Sequence, residues 1–314
     1  MRGRYAPSPT GYLHLGNVRT ALVAYLQARQ AGSSFVLRIE DLDSARSRPD
    51  YIRANMTELQ YLGIDWDEGP DVKGPYKPYI QSERHDFYEE ALKTLVESGQ
   101  VFECFLSRKE LRDLASAPHG QMPIYGQAER ALNEKLKAQK KLEGKTPSLR
   151  FRVEQVLVSF NDGFMGEQSF EVSDFIVRRA DGEWAYQLAV VVDDALMKIE
   201  EVVRGEDLLE STAAQLILYK ALGYKAPTFF HVPLLIDETG ERMSKRKGSL
   251  TVTALREVGV KAERILGFLA YSLDLHDKLE PLSMAELKEL YQADKLKKEA
   301  FKLEKHHLEF LGVP

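Results

Sequence analysis

At 314 residues, 44% of them hydrophobic and 29% charged, the chain has room for about two domains with proper cores and the composition of an ordinary globular protein. No apolar run approaches the roughly 18 residues of a membrane helix, and no leader pattern opens the chain, so no membrane association is expected. Its formal charge of −5 does not announce a nucleic-acid binder, and its one cysteine, Cys104, excludes an internal disulfide and fits a reducing compartment, so a cytoplasmic location is expected.

In chain order, GRY near the N-terminus reads as a short strand, and APSPTG behind it as a loop, by its two prolines and its glycine. Val18, Ala21, Leu22, Tyr25 and Leu26 then recur at helical spacing up to Gly32. A buried strand over 33–39 stops at Glu40 and Asp41. Strand, helix and strand within some 40 residues make a βαβ unit and predict a parallel sheet. The theme returns with a strand over 198–205, an amphipathic helix over 211–224 and a strand over 228–236. Residues 101–185 break it: a turn-rich part, a lysine-rich helix over 135–145 and short alternating segments suggest an inserted α+β region. From residue 254 the pattern is helical, with a capping box at Ser283 and Glu286. The lysines of 135–145 and 288–305 read as solvated helix faces. The expected organisation is a discontinuous Rossmann-type α/β domain over 1–100 and 186–253, an insert over 101–185, and a helical segment over 254–314.

In open parallel sheets, ligands sit at the carboxyl ends of the strands. Each predicted strand here is followed by a polar cluster: Ser8 and HLGN (14–17); Glu40 and Asp41; Arg204, Gly205, Glu206 and Asp207; and RMSKRKG (242–248). A helix N-terminus attracts phosphate, Gly16 lets a flat base approach the backbone, and His14 and Asn17 can donate to phosphate oxygens. Alone, HLGN is a weak signal, since a turn histidine is most often structural. The cations of RMSKRKG lie between Gly240 and Gly248, a loop able to cover a triphosphate and stabilise charge developing on phosphorus. Arg4, Glu40 and Arg204 suit a zwitterion, with Glu40 on an ammonium and an arginine fork on a carboxylate. No nucleophile or metal-ligand set stands out.

Together these residues carry a resemblance. YAPSPTGYLHLGN resembles the HIGH signature of class I aminoacyl-tRNA synthetases in its glutamyl form, and RMSKRKG resembles their KMSKS loop. RIEDLD, YIQSERHDFYEEAL, WAYQLAVVVDD and VVRGEDLLEST resemble glutamyl-type sequence in order and spacing, over nearly the whole chain. The resemblance implies a Rossmann-type catalytic domain that activates L-glutamate with ATP and Mg2+ and passes it to a tRNA. It assigns glutamate to Arg4, Ala6, Ser8, Glu40, Tyr186 and Arg204. It assigns ATP to His14, Gly16, Asn17, Arg242, Met243, Ser244, Lys245 and Arg246. His14, Asn17 and above all Lys245 would stabilise the transition state.

Within that family the resemblance leaves several branches. Ordinary members charge the 3′ end of tRNA and continue into a helical anticodon-binding region. A shorter branch transfers glutamate to queuosine in tRNA(Asp), and Val190, where ordinary members carry asparagine, favours it, as does RGEDLLEST. A tail-less ordinary enzyme and a non-charging paralogue are the alternatives. A small-molecule nucleotidyltransferase with a similar turn fits less well, because it needs neither RIEDLD nor VVRG. The short branch often holds zinc through a C-x-C pair and a later tyrosine and cysteine. Here Cys104, Leu106, Tyr125 and Ala128 stand in that region, so no zinc is expected. A monomer is expected.

Overall fold

The computed structural model describes residues 1–107, 110–111, 125–154, 156–237, 239–240 and 250–313. Strands β1 (Arg2–Tyr5), β2 (Ser34–Leu37), β8 (Glu201–Gly205) and β9 (Thr228–Val232) form a parallel sheet in the order β2-β1-β8-β9. Helix α1 (Leu15–Gln30) crosses from β1 to β2 and stops at Gly32, whose φ of 59° suits a residue without Cβ. Val18, Ala21, Leu22, Tyr25 and Leu26 are buried as their spacing predicts, and so are Val23, Ala24 and Ala28. A helix apolar on nearly all sides belongs in a core, and α1 lies between the sheet and the C-terminal helices.

Alternation along the strands supplies two cores. Phe35, Leu37 and Val203 join α1 on one face; Val36, Val202 and Phe229 face the other way. That second core contains α3 (His85–Glu97), α5 (Tyr186–Leu196) and α6 (Leu209–Ala221). All four strands run in one direction, so Tyr5, Leu37, Gly205 and Val232 end along one rim.

The strand expected over 228–236 is two strands. Pro233 has no N–H to give a ladder, so β9 ends before it, and β10 (Leu235–Ile236) pairs with β11 (Phe301–Lys302) instead. The Pro233 carbonyl accepts from Arg19, which also donates to the backbone and hydroxyl of Ser272 at 2.8 and 3.1 Å. Burial pulls the Arg19 guanidinium down to about 10. One buried side chain thus ties α1, the β9–β10 break and the C-terminal helices together.

Between the two βαβ parts, β3 (Val101–Cys104), β4 (Ser148–Phe151) and β7 (Phe175–Arg178) make an antiparallel sheet. β5 (Val156–Asp162) and β6 (Gly166–Val172) make a hairpin. The lysine-rich helix is α4 (Gln127–Leu142); its Lys137 and Lys141 pair with Glu103, and Lys140 with Glu110. After residue 250 come α2's partner α7 (Val252–Glu257), with α2 at Pro49–Tyr61, then α8 (Ala262–Ser272), α9 (Met284–Leu290) and α10 (Lys305–Phe310). The capping box of α9 forms as expected: Ser283 N–H donates to Glu286 at 2.7 Å and Glu286 N–H to Ser283 at 3.2 Å. Among the described residues no helix is long and apolar enough to cross a membrane.

Candidate active site

At the carboxyl rim of the sheet lies a cavity of about 390 Å³. Arg4, Ala6, Ser8, His14, Gly16, Asn17, Glu40, Tyr186 and Arg204 all line it, although they come from four separate stretches of sequence. Thr10, Asp207 and Leu235 complete parts of the wall. Arg242, Met243, Ser244, Lys245 and Arg246 lie outside the described residues.

The wall built by HLGN is held locally. His14 caps α1: its Nδ1 accepts from Asn17 N–H at 3.3 Å, while Asn17 Oδ1 accepts from His14 N–H at 3.2 Å. The turn is therefore a capped turn and a cavity wall at once. The capping bonds engage acceptor atoms, which sets the neutral imidazole proton on Nε2 and leaves Asn17 its NH2 as donor. A Cβ on Gly16 would stand 3.1 Å from the His14 ring, so glycine here also gives the imidazole its place. His14 bridges to Thr251, and Val252 N–H donates to Leu13 at 2.9 Å. Buried Glu58 clasps both: one oxygen accepts Leu13 N–H at 2.8 Å, the other Thr253 N–H at 2.9 Å and its hydroxyl at 2.7 Å.

The opposite wall is held by distant charges. Arg4 donates to Asp194 at 3.3 Å and to the Val203 carbonyl at 3.0 Å. Arg38, fully buried, donates to Asp194 at 2.7 Å and to Glu40 at 3.1 Å. Asp193 accepts from Arg84 at 2.6 Å, Gln81 at 2.8 Å and Tyr88 at 2.9 Å. RIEDLD, YIQSER and VVVDD thus meet in one buried ion network behind Arg4 and Glu40. Burial pushes the Glu40 carboxyl above its ordinary value, against the pull of Arg38 and Arg4. For Asp194 burial acts the same way, but Arg38 and Arg4 prevail and hold it low. Burial raises the Tyr186 hydroxyl as well.

Sequence reasoning missed Arg38, Asp193 and Asp194. The signal was available: two adjacent aspartates end an otherwise apolar helical stretch, and buried carboxylates require partners. Val190 sits in the second core and does not line the cavity. Cys104 is buried against Leu106, Leu111 and Tyr125, and its sulfur lies 3.4 Å from the Tyr125 hydroxyl. Among the described residues this pocket offers one thiol and one phenol, short of the four donors a zinc ion needs.

Residues 1–310 match the family of class I tRNA synthetases (E and Q), catalytic domain. The chain is 47% identical to a glutamyl-Q tRNA(Asp) synthetase from Symbiobacterium thermophilum, over 96% of this chain and 95% of that protein. It is 41% identical to a glutamate–tRNA ligase from Listeria monocytogenes, over 86% of this chain and 57% of that one. A crystal structure of a glutamate tRNA ligase from Elizabethkingia meningosepticum superposes with a TM-score of 0.84 at 31% identity, covering 99% of this chain and 68% of that one. The polar rim, the parallel sheet and these likenesses agree: the chain belongs to the class I tRNA synthetases of the E and Q group, and is a ligase that uses ATP.

Proposed function

We propose that this protein activates glutamate with ATP and Mg2+ as glutamyl-adenylate, then transfers the glutamyl group to queuosine in tRNA(Asp). The observation that carries the first half is the charge layout of the cavity: two buried arginines and the partly buried carboxylate of Glu40 on one side, a capped helix start on the other. Glu40 would meet the α-ammonium, whose arrival offsets the burial that raises its carboxyl. Arg204, with Arg4, would hold the side-chain carboxylate, and His14 and Asn17 would donate to phosphate oxygens. An oxygen of the α-carboxylate attacks the α-phosphorus, the bond to the bridging oxygen breaks, and pyrophosphate leaves. No protein nucleophile is required, so the enzyme's contribution is positioning and charge stabilisation. Mg2+ bound with ATP supplies further neutralisation of phosphate charge. Lys245 is assigned the transition-state charge. Residues 101–185 are assigned the RNA-facing insert.

For the acceptor, the higher identity to the Symbiobacterium protein, over nearly all of its length, favours queuosine over a tRNA 3′ end. Two measurements test the proposal. Glutamate should drive ATP–pyrophosphate exchange, and Lys245→Ala should slow it by about a hundredfold with little change in glutamate binding. Labelled glutamate should go to queuosine-bearing tRNA(Asp), and not to queuosine-free tRNA(Asp) or tRNA(Glu). Absence of exchange with tRNA present defeats the activation step. Transfer that prefers tRNA(Glu) defeats the acceptor.

A further inference from the structure

Behind Arg204 stands a second, separate chain of buried polar groups. Arg204 in β8 and His231 in β9 are register partners, and the Arg204 Nε–H donates to His231 Nε2 at 3.0 Å. On the far side of the ring, His231 Nδ1 lies 2.6 Å from Asp162 Oδ2, and neither side chain is exposed to solvent. Asp162 ends β5, outside the four-stranded sheet. Its other oxygen accepts N–H groups of Phe164 at 3.0 Å, Met165 at 2.9 Å and His231 at 3.1 Å.

One proton arrangement satisfies all three residues. A guanidinium N–H can only donate, so Nε2 accepts; the ring proton therefore sits on Nδ1 and is donated to Asp162. Burial holds the imidazole below its ordinary value, with Asp162 opposing, which keeps the ring neutral. The rest of the guanidinium is fixed too. It donates to Thr212 at 2.7 Å, approaches the Tyr186 hydroxyl at 3.4 Å, and lies over the Phe229 ring at 5.0 Å.

We propose that Asp162 and His231 are positioning residues for the substrate side chain: Asp162 fixes the imidazole tautomer, and that tautomer fixes the Arg204 guanidinium in the cavity wall. The proposal rests on Arg204 as the reader of the glutamate carboxylate. It also makes the β5–β6 hairpin part of amino-acid selection, although no hairpin residue lines the cavity.

Asp162→Asn is the discriminating variant. Three backbone N–H groups keep an oxygen on the Oδ1 side, so the new NH2 faces Nδ1. The ring must then accept there and carry its proton on Nε2, N–H against N–H with Arg204 and turned toward the Thr212 hydroxyl, 3.2 Å away. Nitrogen-15 histidine spectra, with His231 assigned through its loss in His231→Gln, should show Nδ1–H in the natural protein and Nε2–H in Asp162→Asn. In glutamate-driven exchange, Asp162→Asn should raise the glutamate KM about tenfold or more, leave the ATP KM within about twofold, and weaken preference for glutamate over glutamine. His231→Gln keeps an acceptor for Arg204 and should raise the glutamate KM less than His231→Leu; this pair decides the matter if Asp162→Asn does not fold. An unchanged tautomer, equal effects on both substrates, or equal His231 variants would overturn the inference. Failure of the natural protein to exchange with glutamate would overturn the reading of Arg204 beneath it.

Discussion

The two walls of the cavity are held in opposite ways. His14 and Asn17 hold each other across three residues, by backbone-to-side-chain bonds that α1 needs in any case as its cap. Arg4 and Glu40 are held by Asp194 and Arg38, with Arg4 and Asp194 190 residues apart in the chain and both nearly buried. The first wall is a by-product of starting a helix. The second exists only when the whole sheet and α5 are assembled, and it fixes charge where charge is costly to bury. The long-range, buried ion pairs thus fall on the side assigned to the smaller, zwitterionic substrate.

The largest effect should come from removing the hub of the buried network. Arg38→Ala leaves Asp194, Asp193 and Glu40 short of their shared cation in a dry interior, and should cost about 3–5 kcal/mol of stability in a denaturant titration. A loss below about 1 kcal/mol would mean the network is not what holds that wall. Asn17→Ala is the matching cut on the other side. It removes half of a local cap, so stability should fall by only about 1 kcal/mol while the ATP KM rises and the glutamate KM stays put. Equal effects on both substrates would erase the distinction between the walls.

The smallest effect is a proton. Burial raises the Glu40 carboxyl, and an ammonium beside it would favour the carboxylate, so glutamate binding should release a proton when the pH lies between the bound and free values. Calorimetry in two buffers of different ionisation enthalpy should show this release growing as pH falls from neutral toward the carboxylate range. Buffer-independent heats would contradict it. Asp194 has the other sign for folding. Held low, it contributes stability above the ordinary aspartate value of about 3.9, lost as pH falls through its lower folded value.

The same contrast explains what could be read in the residues alone. Alternating apolar runs and turn residues disclosed the βαβ unit, since strand and helix periods are local properties. The start of α1 at HLGN was legible because the partners that cap it lie within one helical turn. Arg38 and the aspartate pair were not, because a charge in an apolar stretch reveals burial but not its partner. The division of the strand over 228–236 turned on Pro233, whose missing N–H was visible but whose consequence depended on β11 being there to receive β10. His231 in TFFHV looked like any strand residue; only the register with Arg204 gives it meaning.

Glu58 sits in α2, in neither wall, yet one of its oxygens is committed to Leu13 and the other to Thr253. For anyone recombining this protein with a relative, that carboxylate sets the grammar of the exchange. A crossover placed anywhere between residues 60 and 250 separates Glu58 from Thr253 and leaves the two halves of one clasp to be supplied by different parents. Chimeras that carry positions 13, 58 and 253 together inherit the clasp whole.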